Sequence, residues 1–188
     1  MSAERSPNIG VPTQSQQRDL DQAKRVVEQW LSSKLHSESG VRVNRVTMPD
    51  GSGVSSETLM VDAVVAGVDR RYVVKVDTPS GLYMNASLKS QYDVANALRA
   101  EAILPVPELF GYEADASLLG QPFYVMECIA GKVPADNPPF HLSGWVADQT
   151  VEQRKATCSS ALDTLVNLHK VGVNTINFLN RPARGSSG

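Results

Sequence analysis

Apolar residues recur at the three- and four-residue spacing of amphipathic helices in three segments of the chain. In residues 19–35 the apolar positions are Leu20, Ala23, Val27, Trp30, Leu31 and Leu35. In residues 86–102 they are Leu88, Tyr92, Ala95 and Leu98, and in residues 151–171 they are Cys158, Ala161, Leu162, Leu165 and Leu168. Asp19 is a typical N-cap residue, and two prolines close the second segment. The pattern predicts three helices.

Strand-forming residues dominate the segments between these helices. Valines at 41, 43 and 46 indicate a first strand, and two apolar-rich runs over 58–66 and 70–77 indicate a β-hairpin with its break at Gly67-Val68-Asp69. Short strands are predicted over 108–113 and 122–129, with a turn at 115–120 between them. We therefore expect an α+β fold, in which a five-stranded, largely antiparallel sheet has a helix packed on it.

Composition and charge narrow the class of protein. The chain has 188 residues, 41% of them hydrophobic, and a net charge of −2 with scattered basic residues, which argues against a nucleic-acid partner. Cys128 and Cys158 lie in apolar segments without metal-ligand spacing, which favours a reducing compartment. No segment reaches 18 apolar residues, and the first residues lack the apolar core of a signal peptide. These features predict a cytoplasmic protein without a membrane partner.

A turn rich in glycine and serine precedes the hairpin, and one lysine lies on the second hairpin strand. The turn reads Gly51-Ser52-Gly53-Val54-Ser55-Ser56, and the lysine is Lys75. Glycines allow successive backbone N–H groups to point at an anion, and a nearby lysine can meet the same anion as a point charge. The pattern therefore favours phosphate binding. The alternative is a solvated hairpin with an ordinary surface lysine.

The order of these segments resembles the small lobe of the aminoglycoside phosphotransferase-like family, which has a protein-kinase-like fold and phosphorylates small molecules. The likeness covers about residues 18–184, and it resembles most a subgroup seen fused to or beside acyl-CoA dehydrogenases. The motifs that carry it are the glycine turn continued to Leu59, Tyr72-Val73-Val74-Lys75, Val106-Pro107-Glu108-Leu109, residues 119–127 with Phe123-Tyr124-Val125-Met126-Glu127, Gly131, residues 136–139, Gly144-Trp145 and Leu168-His169.

The resemblance implies an ATP site. Backbone N–H groups of Ser52, Gly53, Val54, Ser55 and Ser56 would cover the nucleotide phosphates, and Lys75 would contact the α- and β-phosphates. The family usually orients this lysine with a glutamate on the following helix, where the present chain has Gln91. The carbonyl of Glu127 and the N–H of Ile129 would read the edge of the adenine, while the Glu127 side chain would be structural.

The same resemblance implies a domain order and a departure from the family. The expected order is a disordered tail over 1–17, a kinase-like small lobe over 18–130, a linker over 131–150, the first helix of a large lobe over 151–172, and a disordered tail over 173–188. The family's catalytic loop begins His-x-Asp, but His36, His141 and His169 are each followed by other residues. We therefore expect the large lobe to be missing, no catalytic or metal residue in this chain, and Mg²⁺ only with that lobe.

Two functions follow from these expectations. The first is the nucleotide-binding portion of an ATP-dependent small-molecule kinase, with an adenine nucleotide and, in the complete family, an acceptor hydroxyl as partners. The alternative is a catalytically inactive truncated homologue that acts as a binding module or is a gene remnant. In either case the apolar stripe of the last helix, over 151–170, is expected to support self-association.

Overall fold

Five strands in the described part of the chain form one antiparallel sheet. The computed structural model describes residues 18–35, 40–49, 56–78, 87–134 and 138–179. Its elements are α1 Leu20–Leu35, β1 Val41–Thr47, β2 Glu57–Val65, β3 Val68–Val76, α2 Leu88–Ala100, β4 Leu109–Glu113, α3 Ala116–Leu119, β5 Phe123–Glu127, α4 Val151–His169 and a 3-10 helix at Val173–Leu179. The strand order is β1-β2-β3-β5-β4. The predicted α+β fold with a five-stranded antiparallel sheet is confirmed.

Helices cover both faces of this sheet. Alternate residues of β3, from Tyr72 to Val76, are buried in the core with Val27 and Leu31 of α1. Tyr124 of β5 points to the other face, where its ring lies 5.8 Å from that of Tyr92 on α2. The sequence predicts one helix on the sheet, but α1 and α2 lie on opposite faces. Lys75, which alternates with the buried residues of β3, therefore lies on the α2 face.

The hairpin turn lies one residue earlier than the sequence predicts. The strands pair as far as Val65 opposite Val68, so that Ala66 and Gly67 form a two-residue turn. Both turn residues have positive φ, 49° and 77°, as the tight turns that match strand twist require. The predicted break at Gly67-Val68-Asp69 is therefore wrong, because the glycine is the second turn residue and Val68 already belongs to β3.

Two further segments differ from the sequence-based expectation. The predicted turn at 115–120 contains α3, which Asp115 caps by accepting the Ser117 N–H at 2.9 Å and which Gly120 ends with a φ of 77°. No regular structure was expected after residue 172, yet the 3-10 helix packs against α2. The Thr175 hydroxyl donates to Glu101 Oε1 at 2.7 Å, which joins the segment to the C-cap of α2.

The helix ends agree with their sequence signals. Asp19 Oδ1 accepts the N–H groups of Asp21 and Gln22, both at 3.0 Å, which confirms it as the N-cap of α1. Helix α4 begins with a reciprocal capping box, in which Thr150 and Gln153 each bond the other's backbone N–H. The predicted helix over 151–171 is thus observed over Val151–His169.

Gly111 is expected to be intolerant of a side chain. It lies at a register shift in the pairing of β4 with β5 and has a φ of 144°. A Cβ there would lie 3.3 Å from two ring carbons of Trp30, whose Nε1 is held by Glu113 Oε2 at 3.0 Å. Gly111→Ala should lower the free energy of unfolding by about 1–3 kcal/mol.

Urea denaturation measures this change. Gly131→Ala is the matched control, because a Cβ at Gly131 would have no neighbour within 4 Å and its φ is not positive. Equal unfolding free energies for the two variants would contradict the argument.

Candidate functional site

Lys75 lies at the centre of a row of side chains that crosses four strands. The register places it opposite Thr58 on β2 and opposite Tyr124 on β5, which in turn pairs with Tyr112 on β4. The Lys75 amine is partly buried and donates a hydrogen bond to Thr58 Oγ1 at 2.9 Å. Within the described residues it makes no ion pair with a carboxylate. The row therefore presents one cation that has no ion-pair partner in the described part of the chain.

Burial dominates the electrostatics of this row. Loss of hydration lowers the pKa of the Lys75 amine below its ordinary value of 10.5. The same cause raises the pKa of the Tyr124 hydroxyl above its ordinary value of 10.0. Burial thus disfavours charge in the free site, and an anion next to Lys75 would favour the ammonium form.

An apolar row lies beside the charged one. Val73 on β3 pairs with Met60 on β2 and with Met126 on β5, and all three side chains are partly exposed on the same face as Lys75. Residues two apart on a strand are separated by about 7 Å, which is the distance between the two rows. The face therefore offers a flat apolar surface next to a cationic one.

The chain leaves the apolar row through Glu127, Cys128 and Ile129. The Glu127 and Cys128 N–H groups donate to the carbonyls of Glu108 at 2.8 Å and Arg71 at 3.1 Å. The Glu127 carboxylate accepts the Glu108 N–H at 3.3 Å, so the Glu127 side chain holds the backbone directly before β4. Ile129 differs from these two residues, because its N–H donates no hydrogen bond within the described residues and its side chain is 61% exposed. A donor free for a ligand therefore lies at the end of the apolar row.

Helix α2 brings no free carboxylate to this face. Its sequence contains one acidic residue, Asp93, whose carboxylate accepts two hydrogen bonds from Lys89 one turn earlier. Gln91 is partly buried on the same helix, and its side chain forms no hydrogen bond among the described residues. The structure thus places Thr58, rather than Gln91, at the Lys75 amine. Sequence reasoning did not identify Thr58.

The glycine turn is described only at its last residue. Ser52, Gly53, Val54 and Ser55 lie outside the described residues, and Ser56 is buried, with no hydrogen bond for its Oγ in the described part. The next residue, Glu57, forms a two-bond ion pair with Arg18 at 2.6 and 2.7 Å. Arg18 also donates to the Leu119 carbonyl at 2.8 Å, so the start of β2 is tied to both α1 and α3.

Comparison with known proteins identifies the family. Residues 47–186 match the model of the phosphotransferase enzyme family. The chain belongs to this family. A probable acyl-CoA dehydrogenase, IBR3, from Arabidopsis thaliana is 26% identical to this phosphotransferase-family chain over 137 residues. Those residues are 72% of the chain and 16% of the Arabidopsis protein, so the chain spans a small part of that relative. The predicted family is confirmed.

In the described ranges, no three or more histidine, cysteine, aspartate or glutamate side chains come together as a metal site would require. A membrane-crossing helix would need a length and an apolar content that none of the described helices has.

Proposed function

We propose that this chain binds the adenine nucleotide in an ATP-dependent kinase that transfers phosphate to the hydroxyl of a small molecule in the cytoplasm. The observation that carries the proposal is the partly buried Lys75 amine, which has no carboxylate partner in the described residues. A desolvated cation without a counter-ion is costly unless an anion binds there. Family membership makes the phosphates of a nucleotide the best candidate for that anion.

The two rows on the sheet match the two halves of a nucleotide. We infer that the adenine lies against Val73 and Met126, with its edge at the Glu127 carbonyl and the Ile129 N–H. The phosphates then extend toward Lys75 and toward the turn from Ser52 to Ser56. Pairing of Glu57 with Val76 supports this direction, because it puts the end of the turn next to Lys75 rather than next to Ile129.

Magnesium is not assigned to residues of this chain. Kinases use Mg²⁺ to neutralise the β- and γ-phosphates and to hold them for in-line transfer. Mg²⁺ would be held by one or two carboxylates together with the phosphates, and we expect those carboxylates from the large lobe of the complete family rather than from this sheet. What the residues of this chain do is bind the adenine, orient the phosphates and supply one positive charge.

Nucleotide titration followed by NMR tests the proposal. ATP should shift the signals of the Ile129 N–H, the Val73 and Met126 methyl groups and the Lys75 ε-CH₂. We expect a dissociation constant on the order of 1 mM or weaker, because contacts from one sheet leave little surplus over the entropy cost of association. The Leu165 methyl groups on α4 serve as an internal control. Nucleotide binding on this face would be contradicted by shifts confined to α4. It would also be contradicted by a lack of shifts at an ATP concentration 20 times the expected dissociation constant of ~1 mM.

A second candidate function is a binding module without turnover. It is favoured by one observation, since none of the three histidines begins a His-x-Asp sequence. We predict that the 188-residue chain consumes no ATP above buffer, with Mg²⁺ present and with any acceptor alcohol. A coupled ADP-release assay measures this. Phosphorylation of an acceptor by the purified chain would show that other residues supply the catalytic base.

Self-association through α4 is the third expected property. Leu162, Leu165, Val166 and Leu168 are 40–56% exposed on this helix, and such apolar stripes favour association. We propose that a second copy of the chain covers them. Leu162→Glu with Leu165→Glu should shift the sedimentation velocity profile toward monomer. Ser160→Glu adds charge on the polar side of the helix and should leave the profile unchanged. If the wild-type chain sediments as a monomer at ~1 mM as well as after 100-fold dilution from that concentration, self-association through α4 is ruled out.

A further inference from the structure

In the described part of the chain, three elements on this face could supply an orienting partner for the Lys75 amine. Strands β2 and β5 flank it with Thr58 and Tyr124, and α2, which carries Gln91, reaches the same face through the Tyr92 ring. The hydrogen bond is formed with β2, where Thr58 Oγ1 accepts from Lys75 Nζ at 2.9 Å. The helix contributes instead a ring contact, Tyr92 against Tyr124. The partner of the lysine therefore comes from its own hairpin.

Thr58 is well suited to hold an amine in one position. A β-branched side chain on a strand has few χ1 choices, so its hydroxyl is fixed relative to the backbone. The backbone of β2 is in turn fixed by nine consecutive pairs with β3 and by the ion pair that its first residue, Glu57, forms with Arg18. The Thr58 hydroxyl is therefore held in a fixed position opposite Lys75.

The neutral character of this partner has a chemical consequence. A hydroxyl oxygen accepts one of the three amine hydrogens and leaves the positive charge uncompensated. Two hydrogens and the full charge then remain for phosphate oxygens. A carboxylate partner would orient the amine equally well but would neutralise part of its attraction for an anion.

We propose that Thr58 is a positioning residue for nucleotide binding, which holds the Lys75 amine through its hydroxyl in place of a group on α2. This inference rests on the proposed function, since it assumes that phosphates bind at Lys75. Among the described residues, the other ionisable groups on this face do not pair with the Lys75 amine. Lys89 pairs with Asp93 and Arg71 pairs with Asp62, while the Asp77 carboxylate, two residues further along the chain, accepts the Thr78 N–H at 2.9 Å. The burial-raised pKa values of Tyr112 and Tyr124 keep both hydroxyls protonated.

The test uses Thr58→Val, which keeps the shape and β-branching of the side chain and removes only the hydroxyl. Its first readout is the pKa of Lys75, followed by NMR in the 188-residue chain with labelled lysine. The Thr58 oxygen favours the charged amine, so its loss should lower the Lys75 pKa further. Thr58→Ser should restore the wild-type value, and Gln91→Leu should leave it unchanged. A purely structural Thr58 would alter unfolding without moving this pKa.

The second readout is the dissociation constant for ATP. Thr58→Val should weaken binding about threefold to tenfold, the effect of one lost hydrogen bond, with recovery in Thr58→Ser. An unchanged Lys75 pKa and unchanged ATP affinity in Thr58→Val would overturn the inference, as would a shift caused by Gln91→Leu instead. If Lys75→Met itself leaves ATP binding intact, the proposed function fails and this inference fails with it. If only Lys75→Met weakens binding, the proposed function stands and the role of Thr58 is refuted.

Discussion

Lys75→Met should weaken ATP binding by about 1.5–3 kcal/mol, or roughly 10- to 100-fold, which takes it out of the measurable range for a millimolar ligand. Methionine keeps the unbranched apolar stem of lysine and removes the ammonium group. Of the charges on this face, Lys89 is paired with Asp93 and lies over the ring of Tyr112, so it is not available as a substitute. The ATP titration by NMR described above gives the measurement.

The stability of the same variant separates lost binding from lost fold. Burial lowers the Lys75 pKa, so between that value and 10.5 the unfolded chain binds more protons than the folded chain. Stability therefore rises with pH through this window, and at pH 7 the folded chain carries the whole cost of burying the charge. Lys75→Met should be no less stable than wild type at pH 7 and should lose this dependence on alkaline pH.

Thermal unfolding at pH 7 and at pH 10 checks both statements. Lys89→Met serves as the matched control, since it removes an exposed, paired lysine from the same face. That variant should change ATP binding by less than about threefold. Full ATP affinity in Lys75→Met, with the fold intact, would contradict the proposed role of the amine.

Periodicity and caps made the helices predictable from the sequence. The apolar stripe of α1 meets the sheet, and Asp19 caps the helix at the expected residue. The dense apolar run at 122–129 likewise predicts the buried strand β5, because the run is short enough for a buried strand. These are local signals, and local physics is sufficient to interpret them.

The pairing register of the β2–β3 hairpin was harder to predict, and the misplaced turn concealed the partner of Lys75. The sequence suggested a break at Gly67-Val68-Asp69, since glycine and aspartate separate the two apolar-rich runs there, but Ala66 is the first turn residue, with a φ of 49° that alanine rarely adopts. The observed two-residue turn pairs Thr58 with Lys75. A turn placed one residue later pairs Lys75 with a different residue of β2, so Thr58 could not be recognised. Strand pairing depends on the whole hairpin, and no single residue reveals it.

The remaining part of the predicted site stays a prediction. Ser52, Gly53, Val54 and Ser55 were proposed to cover the phosphates, and they lie outside the described residues. Lys75, by contrast, lies on the α2 face of the sheet, where its amine donates to Thr58. The adenine contacts of Glu127 and Ile129 stay predictions.

Phe123→Ala should cause the largest loss of stability, about 3–5 kcal/mol. The Phe123 side chain is 0% exposed, and its ring meets that of Trp30 on α1 edge-on with the ring centres 5.5 Å apart. It also begins the strand that pairs with β3 on one side and β4 on the other. Removing the ring leaves a cavity where α1 and three strands meet, and the sheet cannot close it without breaking that pairing.

Phe178→Ala is the matched control, because the same side chain is 49% exposed on the 3-10 helix. It should change stability by less than about 0.5 kcal/mol. Urea denaturation of both variants gives the comparison, with an unchanged m-value as evidence that the native state stays compact. Phe123→Ala should also weaken ATP binding, since the next residue, Tyr124, flanks Lys75 and depends on β5 for its position. A loss below about 1 kcal/mol in Phe123→Ala would mean that the core between α1 and the sheet is looser than these contacts indicate.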